Sequence, residues 1–265
     1  MITSVGGQNY YAESVGLSES INIEYFAPMG TKNYSAFPTS KPEGSIDIDF
    51  YITTGSELEN IESGYANTGF CTIQVGPFST NQALLSSFSV SSDASSVIRG
   101  SLSYSYYGQI NSGELPAQSG ASITPAHGAA SSGSLEDFGA GKILSFDYSF
   151  SQSFDVKYSL GSANPSQVVM TDATRLLSIT NLISDIDYEK TNLTGSSGLC
   201  DNDEGEGFTK KSGFIELRNL CKERVGTLDI TGYIESRSFS VEPGGEVIEG
   251  LQIGEKYVKN TGCNE

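Results

Sequence analysis

The sequence predicts an all-β protein made of two tandem antiparallel β-sandwich or barrel domains, each with one short helix. Three observations lead there. Segments of five to ten residues alternate apolar and polar side chains with a period of two, the signature of a half-buried strand. The composition favours Gly, Ser, Thr, Asn and Asp with Tyr and Phe, and long Ala/Leu/Glu/Lys runs are missing. Finally, segments of the first half recur in order in the second.

Leu17 to Tyr25, Ser45 to Ile52, Cys71 to Val75, Leu85 to Val90 and Val97 to Tyr107 read as the first group of strands, with polar turns between them suited to antiparallel sheet. Two segments break the alternation. Ser56 to Glu62 opens with a capping-type serine and early acids, and Ser184 to Lys190 has the same character, so a short helix is expected at each. Gln109 to Phe138 is rich in Ser, Gly, Ala and Pro, and reads as a long loop plus interdomain connection.

The recurrences set the domain division. Ser18 to Tyr25 resembles Ser151 to Tyr158, and Gly69 to Ile73 parallels Gly213 to Leu217. Ser87-Phe88-Ser89-Val90 returns as Ser238-Phe239-Ser240-Val241, and Val97 to Gly100 returns as Val247 to Gly250. A repeat of this length is a whole domain. The expected division is a first β domain over 1–125, a connector over 126–141 and a related second β domain over 142–265.

The formal net charge is −17, with 13 acidic and 3 basic residues up to Gly141 and 19 and 12 from Lys142 onward. Neither half has the basic surplus that gripping nucleic acid requires; an acidic balance repels phosphates. No stretch approaches eighteen apolar residues, and Met1 to Ser4 does not open a secretory signal, so neither a membrane nor an export role is expected. Cys71, Cys200, Cys221 and Cys263 form no CxxC pair, and His127 is the one imidazole, so zinc patterns fail and free thiols in a reducing cytoplasm are expected.

No catalytic, cofactor-binding or metal residue is nominated. His127 sits in the connector with no G-x-S-x-G elbow to serve, and Gly195-Ser196-Ser197-Gly198 lacks a Walker lysine. Asp201 and Asp203 begin like a calcium loop, but Gly205 holds the third ligand position and no Glu stands at the twelfth. That acidic run, Asp201 to Glu206, reads as a solvated or partner-facing loop. The chain has no Trp, which argues against the aromatic platforms of sugar-handling sites.

Leu17 to Tyr25, Phe37-Pro38 before Ile46-Asp47-Ile48, Leu84 to Val90 and the tyrosine-rich Ser101 to Tyr107 with Ala126-His127-Gly128 downstream resemble tail-tube-like virion proteins of tailed bacteriophages. The resemblance spans most of the first half and returns more faintly in the second, where Lys210-Lys211 and Lys222-Glu223-Arg224 depart from the acidic pattern. It implies a non-enzymatic, cofactor-free virion protein, assembled in the host cytoplasm. Its copies would join sheet edge to sheet edge into rings that stack as a tube, contact other tail proteins, and let DNA pass without holding it. With two fused domains, three chains would do the work of six; six chains per ring is equally open. Other virion roles (baseplate, neck, capsid decoration), a glycan-binding sandwich and an enzyme with dispersed acids are the alternatives.

Overall fold

The computed structural model describes residues 2–27, 29, 35–38, 42–113, 123–135, 142–160, 162, 164–183, 210–241 and 247–257. The helix expected at Ser184 to Lys190, the acidic run Asp201 to Glu206, and Cys200 and Cys263 lie outside them.

The fold is all-β. Its first half runs β1 (Ile2–Val5), β2 (Gln8–Ser20), β3 (Ile23–Phe26), β4 (Ser35–Pro38), β5 (Glu43–Tyr51), α1 (Gly55–Glu62), β6 (Cys71–Val75), β7 (Phe78–Asp93), β8 (Arg99–Tyr107) and β9 (Asn111–Ser112). A 3-10 turn (Gly128–Ala130) and β10 (Ser132–Leu135) follow. The second half holds β11 (Lys142–Tyr158), β12 (Pro165–Ile183), β13 (Lys211–Arg218), β14 (Arg224–Val241) and β15 (Val247–Tyr257). All but β3 and β4, which pair with each other, belong to one sheet of 13 strands.

Six strands of the first half close on themselves in the order β7-β6-β1-β2-β5-β8 and back to β7, every pair antiparallel. The sheet then continues from β7 through β11, β12, β15, β14 and β13 to β10. The two halves are joined strand to strand, because Ser87–Asp93 of β7 pair with Ser145–Ser151 of β11. One apolar cluster spans both, from Tyr10, Ile48 and Phe50 through Phe88, Tyr148 and Phe150 to Leu177 and Ile253. Alternation explains it. Along β8, Leu102, Tyr104 and Tyr106 are buried, while Ser101, Ser103 and Ser105 point the other way.

The pairing scheme of the first half recurs in the second: β2–β5, β5–β8, β8–β7, β7–β6 and β6–β1 have counterparts in β11–β12, β12–β15, β15–β14, β14–β13 and β13–β10. The registers recur too. Moving 131 positions on from β2 and β5 turns Ser14↔Asp49 into Ser145↔Thr180 and Ser18↔Ser45 into Ser149↔Leu176, both of which are pairs of β11 and β12. Moving 149 on from β7 and β8 turns Ser87↔Ser103 into Ser236↔Gln252, and Ile48↔Leu102 becomes Ile179↔Leu251. Even the irregularities coincide. The β2–β5 ladder skips Glu13 where β11–β12 skips Leu144, and β7–β8 skips Ser86 where β14–β15 skips Glu235.

At two places this correspondence differs by two residues from the one read off sequence similarity, which set Ser18 against Ser151 and Ser87 against Ser238, and at Gly100, set against Gly250, it differs by one. Where serines alternate with apolar residues, a slip of two keeps polar on polar and apolar on apolar, so similarity alone does not fix the register. The environments differ accordingly: Phe88 is 1% exposed and Phe239 is 53% exposed.

Helix α1 follows Thr54, whose extended backbone (φ −141°, ψ 151°) makes it the N-cap; Ser56, expected in that role, lies inside the helix. Buried Glu57 reaches back to accept from Thr53 N (2.7 Å), Thr53 Oγ1 (2.7 Å) and Thr54 N (3.1 Å), satisfying backbone donors at the helix start. Helix α1 packs onto the second half from Gly55, against Val225, to Glu62. Leu58 meets Gly226 so closely that a Cβ there would stand 2.5 Å from Leu58 Cδ1. Glu62 accepts from the Tyr148 hydroxyl and from Arg175 Nη2 (2.8 Å), while Arg175 also lies 3.6 Å from Glu255 and covers the Tyr65 ring at 4.2 Å.

Parts of the stretch expected as a long loop, among the described residues, are built into the fold. Ala126 is fully buried, donates to Ile52 O (2.8 Å) and accepts from Ile98 N (2.9 Å), and β10 adds a strand beside β13. The backbone groups explain this: a segment crossing the molecule can only be buried where its N–H and C=O groups find partners.

Candidate functional site

Eight strands lie side by side in the order β2-β5-β8-β7-β11-β12-β15-β14, and directly paired residues share a face. Following the registers across the sheet gives one surface. Ser14, Gly16 and Ser18 of β2 stand against Asp49, Asp47 and Ser45 of β5. These stand against Ser101, Ser103 and Ser105 of β8, and Ser101 and Ser103 against Ser89 and Ser87 of β7. Next come Ser149 and Ser151 of β11, with Asp147 opposite both Ser91 of β7 and Ser178 of β12. Ser178 faces Gln252, which faces Ser236, and Thr180 faces Gly250, which faces Ser238. The opposite face of the same strands is the apolar core, except on the outer strands, where Leu17 of β2 and Phe239 and Val241 of β14 are exposed.

The surface is mostly small-sided, hydroxylic and acidic, with Leu176, Lys256 and Tyr233 the exceptions in the second half. Its hydroxyls are tied to one another and to the carboxylates: Ser14 donates to Asp49 (2.7 Å), Ser103 to Asp47 (2.6 Å) and Ser45 to Asp47 (3.2 Å), while Ser18 and Ser45 lie 2.9 Å apart. Arg99 on the same side is ion-paired with Glu13 (3.2 Å) and rests over the Tyr51 ring. Partial burial pushes the Asp147 carboxyl above its ordinary value. Over β2, β5, β8 and β7 the neighbouring Asp groups, short hydroxyls and a neutralised Arg offer a polyanion little to grip, whereas in the second half the same face carries exposed Lys256 and Tyr233.

Two borders of this surface are open among the described residues. No strand pairs with β2 over Ser14–Ser20 on the side away from β5, or with β14 over Ser236–Val241 on the side away from β15. Several large apolar side chains on or near these borders are exposed, including Leu17, Ile23, Tyr25 and Phe26 near β2 and Val241 of β14.

His127 lies in the fabric of the fold. Its backbone N donates to Arg218 O (2.9 Å) and its Nδ1 accepts from Ala129 N (3.1 Å), so the ring caps the 3-10 turn. Cys71 is buried enough that its thiol is pushed up to about 11, and neither it nor exposed Cys221 is in a disulfide. Among the described residues no three His, Cys, Asp or Glu side chains are grouped as a metal site would need. Sequence reading found the serine-rich strands but not the surface they make together, since that depends on strand order. The signal available beforehand was the recurring Ser-x-Ser spacing. Compared with known proteins, the chain matches no family model and no curated protein.

Proposed function

We propose that this chain is a structural subunit of a phage tail tube. Its two tandem related modules assemble through open sheet borders into stacked rings, with the serine and aspartate face turned to a central channel for DNA. The observation that carries this reading is that face, running over eight strands and both halves, backed by an apolar core and ending at two borders where no strand pairs among the described residues. A conduit must not hold its cargo, and carboxylates such as Asp47 and Asp49 repel phosphates within about 8 Å at physiological salt. The repeated ladders and coincident bulges support descent of the two modules from one ancestor. In this reading the channel contacts are transient and the lasting partners are further copies and other tail proteins.

Negative-stain microscopy of the concentrated full chain tests it. Rings or stacked tubes with a central channel are expected. A monodisperse monomer at every concentration would count against it, and a small closed dimer would favour a decoration role instead.

A further inference from the structure

The joint between the two halves of one chain shows what the joint between two chains would need. At that joint the side of β7 away from β8 pairs with the side of β11 away from β12, over Ser87–Asp93 and Ser145–Ser151. The ladder correspondence carries β7 onto β14 and β11 onto β2, the two strands at the ends of the eight-stranded surface. Taking the assembly reading above as its basis, we propose that copies join head to tail by pairing β14 of one with β2 of the next, antiparallel, in the register of the internal joint.

The register follows position by position. Ser151↔Ser87 becomes Ser20 opposite Ser236, Ser149↔Ser89 becomes Ser18 opposite Ser238, and Asp147↔Ser91 becomes Gly16 opposite Ser240. Three features of the chain agree with it. The serines of both strands fall on the same hydroxylic face, so that surface runs on unbroken from copy to copy. On the other face Leu17, 38% exposed, is set opposite Phe239, 53% exposed, and Val15 opposite Val241, 71% exposed, so apolar side chains bury one another. Finally, Ser14–Ser20 has none of the lysines, prolines or bulges that guard a solvent-facing edge. Because the two borders differ, the joint is heterologous and propagates into a ring or a helical filament, not a two-fold dimer.

The test uses two full-length variants, Ser18→Cys and Ser238→Cys, each checked for unchanged circular dichroism. They are treated with a short bismaleimide separately and as a mixture, and links are located by peptide mass spectrometry so that native thiols are told apart. Directly opposed positions lie about 5 Å apart at Cβ. The expected result is a link between position 18 and position 238, at least ten-fold more abundant in the mixture than in either variant alone. Links from 18 to 18 or from 238 to 238 would mean like edges pair and would overturn the proposal. Rings or tubes in the microscope without the 18-to-238 link would overturn this edge assignment while leaving the tube reading standing. A monomer by native mass spectrometry with no link would overturn both.

Discussion

Glu62 shows how one carboxylate ties the molecule together. It belongs to α1, yet its hydrogen-bond partners Tyr148 and Arg175 belong to β11 and β12. Burial raises its pKa above the ordinary carboxylate range, opposed by the Tyr148 hydrogen bond and the Arg175 charge. A raised folded pKa means that the native state holds the proton more tightly than the unfolded chain. Stability from this group is therefore full below about pH 4.5, its ordinary value, and is lost as pH rises through the folded value. Many other carboxylates also titrate in a chain of net charge −17, so the comparison must be with a variant. Thermal melts from pH 7 down to pH 5 should show a smaller gain in Tm for Glu62→Gln than for the native chain. Equal gains would mean that Glu62 contributes nothing to the pH dependence.

At the scale of elements, α1 is one piece that couples the halves beyond the β7–β11 ladder. Leu58 is 2% exposed and stands against Gly226 of β14. Leu58→Ala removes buried methyl groups and leaves a cavity between helix and sheet, at a cost of about 2–5 kcal/mol. Urea unfolding should show the loss as one shifted transition. A new early transition for one half would mean that the helix, more than the strand ladder, holds the two together. Such a split is not expected, because seven residue pairs join β7 to β11 and the apolar cluster runs through that joint.

For the molecule as a whole, the serine and aspartate surface makes a claim about what does not bind. The native chain should leave double-stranded DNA unretarded in a gel at low salt. The triple variant Asp47→Lys, Asp49→Lys and Asp147→Lys reverses the sign of that surface. It should retard DNA at about 50 mM salt and release it near 200 mM, as phosphate contacts do. Retardation by the native chain would contradict a non-adhesive channel face.

Much of this was legible in the residues alone. Period-two alternation marked the strands because side chains of a strand point alternately to two faces, and the acids around Ser56 to Glu62 marked the helix. Alternation says nothing about which strand lies beside which. It cannot distinguish Ser18 matched to Ser151 from Ser18 matched to Ser149, since both keep hydroxyls on one side. Tertiary structure decided those points: backbone hydrogen bonding fixes one register per ladder. The coincident bulges at Glu13 and Leu144, and at Ser86 and Glu235, anchor the correspondence that serine repetition leaves sliding. The sequence determined strands with one hydroxylic and one apolar face; only their order in the sheet merged those faces into a single surface, with two ends open among the described residues.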